Sequence, residues 1–326
     1  MNAVDHNNVV IFDDRGIPSI MCRFVRPKDT EEVPAVFKIG DKVADAIYIS
    51  KYPNIVIDGR AYSMPMADPT VNITFDEAVQ ACRCKGLGWH LMTAVEYEYL
   101  LNQSREKGTM PHGNTDWGKD YYHNEEQGKV SNLGRTYTGT GPVTWNHDHT
   151  PYGVSDLNGN VWEWLAGLRI KDGVIEFIPG NKAASPYCDL SKDSTEWQQA
   201  ETSKGPVRAN VECGEITITD AVAADDYEPN YDGVRIEELE VKLSEIPQVL
   251  KDLGIIPDKR AEEEGKTYVY FDATEGEYMP FRGSAFGTAS YSGPSALSLL
   301  GPRSYSSFSI GFRSAFYEVN GKLITE

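Results

Sequence analysis

The chain has 326 residues, 40% hydrophobic and 11% aromatic, which suffices for a real core and excludes wholesale disorder. Lys+Arg number 31 against 49 Asp+Glu, and the net charge of −18 argues against general nucleic-acid binding. No apolar run is long enough to span a membrane as a helix, the start MNAVDHNNVV does not read as a secretory signal, and five unevenly spaced cysteines give no disulfide framework.

Residues 1–60 read as strand-rich, with 1–45 as a lead-in. Ala46–Ser50 and Asn54–Ile57 are β-branched runs broken by Pro53 and by Asp58-Gly59. Two capping boxes then mark helix starts, Thr74-Phe75-Asp76-Glu77 and Thr93-Ala94-Val95-Glu96, each followed by apolar residues on one face. Cys82 and Cys84 lie two apart, so Cys82 is expected in the core and Cys84 partly exposed. Residues 108–153, rich in Gly, Pro, Asn, Asp and His, read as a long loop region. Val161–Leu165 reads as a buried strand with Trp162 and Trp164 on one side, as core beneath a binding face, and Glu163 on the other. Gly173 turns a hairpin into Val174–Ile178, and the last strand is expected over Ile310–Phe316. Helices and strands mix without a βαβ rhythm, which predicts an α+β fold.

Charge divides the second half. Residues 186–278 hold 23 Asp+Glu and 9 Lys+Arg, and read as a solvated, acidic, partly helical insertion. Within it Ile236, Leu239, Leu243, Ile246 and Leu250 recur at helical spacing, and Pro247 is expected to bend or end that helix. Residues 279–317 contain no Asp, Glu or Lys; their charges are Arg282, Arg303 and Arg313.

Three motifs occur in order: Asn72–Ala78 with Cys82, Gly88–Thr93 and Glu96-Tyr97-Glu98; Gly153–Trp164, which includes Gly159-Asn160-Val161-Trp162-Glu163-Trp164; and Arg282-Gly283-Ser284 with Gly311-Phe312-Arg313. Together they resemble the formylglycine-generating-enzyme (sulfatase-modifying factor) branch of the C-type lectin fold. The resemblance implies one lectin-like domain over 1–326. Met110–Thr115, Gly141–Trp145 and Asp156–Asn160 further resemble variable proteins of diversity-generating retroelements, in which a reverse transcriptase rewrites the codons of a C-terminal ligand-binding stretch. That likeness places the variable segment at 282–313.

Composition speaks for the same segment. Its 32 residues include nine Ser, five Gly, two Tyr, three Phe and no Asn, a mixture resembling an antibody paratope. Ala296, Leu297 and Leu299 read as a strand fixed to the core, and Arg303, Ile310, Gly311, Phe312 and Arg313 as frame. Ala285, Phe286, Thr288, Tyr291, Pro294, Ser298, Leu300, Gly301, Pro302, Tyr305, Ser307, Phe308 and Ser309 are the expected ligand-binding positions. Phe286, Tyr291, Tyr305 and Phe308 are its expected anchors. Glu163 is expected to pair with Arg282 or Arg313 and fix an end of the segment.

Other chemistry is weaker. The enzymes of the resembled branch use a copper-binding cysteine pair after Arg-Gly-Gly-Ser; here the element reads Arg282-Gly283-Ser284, one glycine short, and no cysteine follows Cys213. His147-Asp148-His149, with His112 or His123 nearby, has the residue types of a metal site, as has Cys82-Arg83-Cys84, but a solvated loop and a core helix are the simpler accounts. The six histidines are His6, His90, His112, His123, His147 and His149. Glu228-Pro229-Asn230 matches the mannose tripeptide of animal lectins without its Trp-Asn-Asp partner. Asp156, Asn158 and Asn160 would suit a structural calcium, or more simply cap a turn. The sequons at Asn72 and Asn102 are assigned no glycans.

The expectation is a receptor-recognition protein, not an enzyme, with no cofactor. Its partner would be a protein or cell-surface glycan, with no nucleic acid, no membrane insertion and homo-oligomerisation open. Display would be on a virion or cell surface. The alternatives are a metal-dependent oxidoreductase of the same fold and a fixed-specificity structural surface or virion protein.

Overall fold

The computed structural model describes residues 6–212, 214–224 and 226–323; Cys213 and the side chain of His6 lie outside the described set. The fold is mixed, mostly strands with few helices. In the first sheet His6–Phe12 pairs with Pro18–Val25, then comes Ala46–Ser50, then Ser314–Val319, each antiparallel to its neighbour. Strands from opposite ends of the chain thus lie side by side. Ala46–Ser50 is buried along its whole length, which is why it reads as an unbroken apolar run and not as an alternation.

The second sheet runs in the order Tyr231–Arg235, Tyr268–Asp272, Leu297–Pro302, Glu277–Arg282, Leu168–Lys171, Val174–Phe177, Arg208–Glu212, Glu215–Thr219 and Glu240–Lys242. Trp162–Trp164 joins it between Glu277–Arg282 and Ile310–Phe312. The hairpin turns at Asp172 and Gly173, both at positive φ.

Both capping boxes form. Thr74 and Thr93 accept from the amides of Glu77 and Glu96, whose carboxylates return to the threonine amides. They start the helices Phe75–Arg83 and Ala94–Lys107, and Gly108, at φ 65°, closes the second in the left-handed region. Cys82 is buried in the core and Cys84 is half-exposed.

Two expectations are corrected. The acidic stretch is chiefly strands that extend the second sheet, with one short helix at Gln248–Asp252. No helix covers 236–250: Ile236–Glu238 is a single tight turn, Glu240–Lys242 pairs in parallel with Thr217–Thr219, and Pro247 starts the short helix instead of ending one. A free sheet edge offers those backbone groups partners, and proline fits the start of a helix. The last strand is also two strands. Ile310–Phe312 pairs with Trp162–Trp164 in one sheet and Ser314–Val319 with Ala46–Ser50 in the other. Arg313 is the crossing point.

Candidate functional site

The segment from Arg282 to Arg313 is fixed at both ends by buried arginines. Arg313 is fully buried; its Nε donates to Glu163 Oε2 at 2.6 Å, and its other nitrogens reach the carbonyls of Ser50 and Ser155 at 3.0 Å. Burial works against the guanidinium charge, but Glu163 outweighs it and Arg313 is held above its ordinary value. This is one of the two pairings expected for Glu163. Arg282 takes a different partner, Glu98, at 3.1 Å, and lies over the Tyr97 ring. Arg105 links Glu98 to Glu264, which also accepts from Ser295. Burial alone would raise the Glu264 carboxyl, yet Arg105 and Ser295 hold it below the usual range. Arg303 holds the middle through Glu277 at 3.0 Å and Asp76 at 2.5 Å.

Between these anchors the strand Leu297–Pro302 has two faces. Leu297 and Leu299 enter the core, as expected, while Ser298 and Leu300 line a groove of about 630 Å³. Thr288, Tyr291 and Tyr305 from the segment line it too, with Trp162, Tyr270 and Phe281 from the frame; none of its lining residues is charged. Tyr291 and Tyr305 are 47% and 44% exposed, and Phe308 is 51% exposed. Pro302 is exposed, and Ser307 and Ser309 are half-exposed.

Other expected positions belong to the frame. Gly301 is buried, and a Cβ there would come within 3 Å of Phe281 and Trp164. Pro294 is buried with its carbonyl 2.8 Å from the Tyr97 hydroxyl. Ala285 and Phe286 are also buried. Phe286 is a pedestal: Trp117 packs edge-on against it at 5.0 Å and Phe308 at 6.1 Å. Trp162, expected in the core with Trp164, is half-buried and opens into the groove, whereas Trp164 is fully buried against Phe75 and Phe281.

Several face residues were missed. Trp117 is 61% exposed at a φ of 52°, tied by its amide to the Phe286 carbonyl at 2.7 Å. Tyr121 and Tyr122 are exposed on the same loop, and the Tyr122 hydroxyl donates to the Ser290 carbonyl. The available signal was an aromatic cluster, Trp117, Tyr121 and Tyr122, inside a stretch otherwise rich in turn residues. Tyr268 and Tyr270 alternate with core Val269, and Tyr268 packs on Tyr291 at 4.4 Å.

The metal candidates separate. His147 is buried and accepts the Val154 amide, while His149 turns to the Met110 carbonyl, so the pair shares no face. Asn158 bonds Pro111 and Ser284, and Asn160 bonds Thr136 and Asn114. The Asp156 carboxyl, pushed up to about 6 by burial, lies within reach of the Gly139 amide. These three oxygens serve different partners and do not converge on a calcium. Among the described residues no group of three or more His, Cys, Asp or Glu is arranged to hold a metal. Burial pushes the thiols of Cys22 up to about 12 and Cys188 up to about 11, the range of inert structural cysteines. The donors required by a copper oxidase of the resembled branch do not fit this chain: the segment has no thiol.

The described residues form a sheet-rich mixed fold with a C-terminal segment pinned between two sheets, and part of the chain is similar to the formylglycine-generating-enzyme type, a C-type-lectin-like fold. Residues 51–207 match the family model of the sulfatase-modifying factor enzyme 1-like domain. The formylglycine-generating enzyme of Mus musculus is 36% identical over 105 residues, 30% of this chain and 27% of that enzyme, so the chain spans about a quarter of its relative. Among solved structures, the major tropism determinant I1 variant is similar at 12% identity and a TM-score of 0.33, over 97% of this chain and 62% of that one. Treponema denticola variable protein 1 is similar at 12% identity and a TM-score of 0.39, over 95% and 98%. At these values the two structural likenesses carry no argument of their own.

Proposed function

We propose that this is a receptor-recognition protein whose segment Arg282–Arg313 is diversified by a retroelement reverse transcriptase to change its ligand. The observation that carries this reading is the division of one short segment. Its ends are buried and ion-paired and one strand face enters the core, while Thr288, Tyr291, Ser298, Leu300 and Tyr305 wall an uncharged aromatic groove. A rigid frame bears the cost of ordering, and exposed Tyr and Phe supply contact area with few rotatable bonds. The ligand is a protein or cell-surface glycan, bound without a cofactor, and display is on a virion or cell surface. The chemistry of the enzymatic relative is not carried over, because the segment lacks the thiols that chemistry requires.

The test is the triple variant Tyr291→Ser, Tyr305→Ser, Phe308→Ser. It is expected to fold and to lose ligand binding. Intact binding, or an unfolded protein, contradicts the reading.

A further inference from the structure

The residues just after the turn Ala289–Tyr291, Ser292–Pro294, line a second cavity of about 260 Å³. Its remaining walls come from the loop that carries His112, Tyr122 and His123 and from Glu263 and Lys266 of the acidic insertion. The two imidazoles stack face to face, with ring centroids 3.6 Å apart and planes 6° from parallel. Each is oriented through Nδ1: His112 on the Glu126 carboxylate at 3.0 Å and His123 on Asp120 at 3.1 Å. A carboxylate only accepts, so Nδ1 of each ring is the donor in these contacts. Asp120 already accepts from the backbone amides of Gly113, Tyr122 and His123, and Glu264 from Arg105 and Ser295. What the cavity offers a ligand is the exposed Glu263 carboxylate, the Tyr122 ring and the stacked imidazole pair.

We propose that this cavity receives a basic side chain of the partner, a guanidinium or ammonium group. The proposal rests on the reading of the segment as a binding face and adds the chemical character of what it meets. A carboxylate beside aromatic faces suits a cation and offers an anion little. The surrounding field agrees: residues 186–278 carry 23 acidic and 9 basic side chains and supply one wall, so a basic surface is drawn toward it. Lys266 is the one cation among the lining residues; it is exposed, and its flexible stem turns to solvent when a second cation enters. The groove on the other side of the turn has no charge, which leaves cation selection to this cavity.

The probe is N-acetyl-arginine amide, titrated into the full chain while the imidazole Cε1–H resonances of His112 and His123 are followed by NMR, each assigned with the H112Q or H123Q variant. The expected result is a saturable shift of both resonances. The neutral citrulline counterpart and inorganic phosphate give none. Glu263→Lys, at an exposed position, weakens the arginine probe roughly tenfold, about one charge-assisted contact. Equal shifts with citrulline, saturable shifts with phosphate, an unchanged affinity in E263K or no saturation overturns the proposal. The probe needs no biological partner. A negative result therefore removes the cavity's role alone, while the triple serine variant reports on the exposed aromatic rings of the segment, none of which lines this cavity.

Discussion

Arg313 and Tyr291 lie in one 32-residue segment and follow opposite rules. Arg313 is fully buried, shared between Glu163 and four backbone carbonyls, and stands where the chain crosses from one sheet to the other. Tyr291 is 47% exposed and touches the frame chiefly through the Tyr268 ring. A residue that must satisfy a buried charge admits no substitute, whereas one that presents a ring to solvent admits many. The segment's ion pairs sit at Arg282, Arg303 and Arg313, away from its exposed aromatic rings.

The largest expected break in this contrast is at the crossing. Glu163→Ala strands the buried Arg313 charge and costs about 3–5 kcal/mol, read as the loss of unfolding free energy in urea. An unchanged midpoint would show that the pair does not hold the frame. Next is Gly301→Val, on the core face of the strand, where the added side chain meets Phe281 and Trp164. It is expected to cost about 1–3 kcal/mol. Leu300→Ser, its neighbour on the groove face, should change stability far less in the same denaturation experiment.

The frame also carries a pH signature. Lys85 is buried with its amine 2.8 Å from Ser19 Oγ and over the Trp89 ring, and burial pulls its pKa down to about 7 from 10.5. The unfolded chain therefore binds one more proton than the folded chain between those values, and stability rises with pH across that window. The slope is at most about 1.4 kcal/mol per pH unit, and the cost is fully present below pH 7. Lys85→Met should flatten the dependence in thermal melts from pH 7 to 10. A slope that persists in the variant would place its source elsewhere. The smallest expected effect is Tyr291→Ser, within about 0.5 kcal/mol in stability. Trp117→Ser should likewise keep the fold while weakening ligand binding, and a variant that binds as the parent does would remove that loop from the face.

Local chemistry was legible in the sequence. Thr74 and Thr93 announced their helices because a capping box is complete within four residues. The pairing of Glu163 with one of Arg282 and Arg313 followed from sign and motif proximity; which of the two it takes was decided by the fold. Residues whose fate depends on distant partners were not legible. Ile236, Leu239 and Leu243 kept helical spacing, yet Glu240–Lys242 is drawn to a sheet edge at Thr217–Thr219. Phe286 read as an anchor and is covered by Trp117, 169 positions earlier in the chain. The composition of 282–313 marked the segment but not which of its residues turn inward, since Gly301 and Pro294 are fixed by Trp164, Phe281 and Tyr97. The Cys82 thiol was expected in the core, whereas nothing in His147 hinted how completely the core would enclose it.

The central claim is that the segment varies on a fixed frame. Sequencing the region encoding residues 270–320 across many isolates of one population tests it most directly. The account predicts substitutions concentrated at Thr288, Tyr291, Ser298, Leu300, Tyr305, Ser307, Phe308 and Ser309, with Arg282, Gly301, Ile310, Gly311 and Arg313 unchanged. A uniform sequence, or changes spread equally over buried and exposed positions, would contradict it.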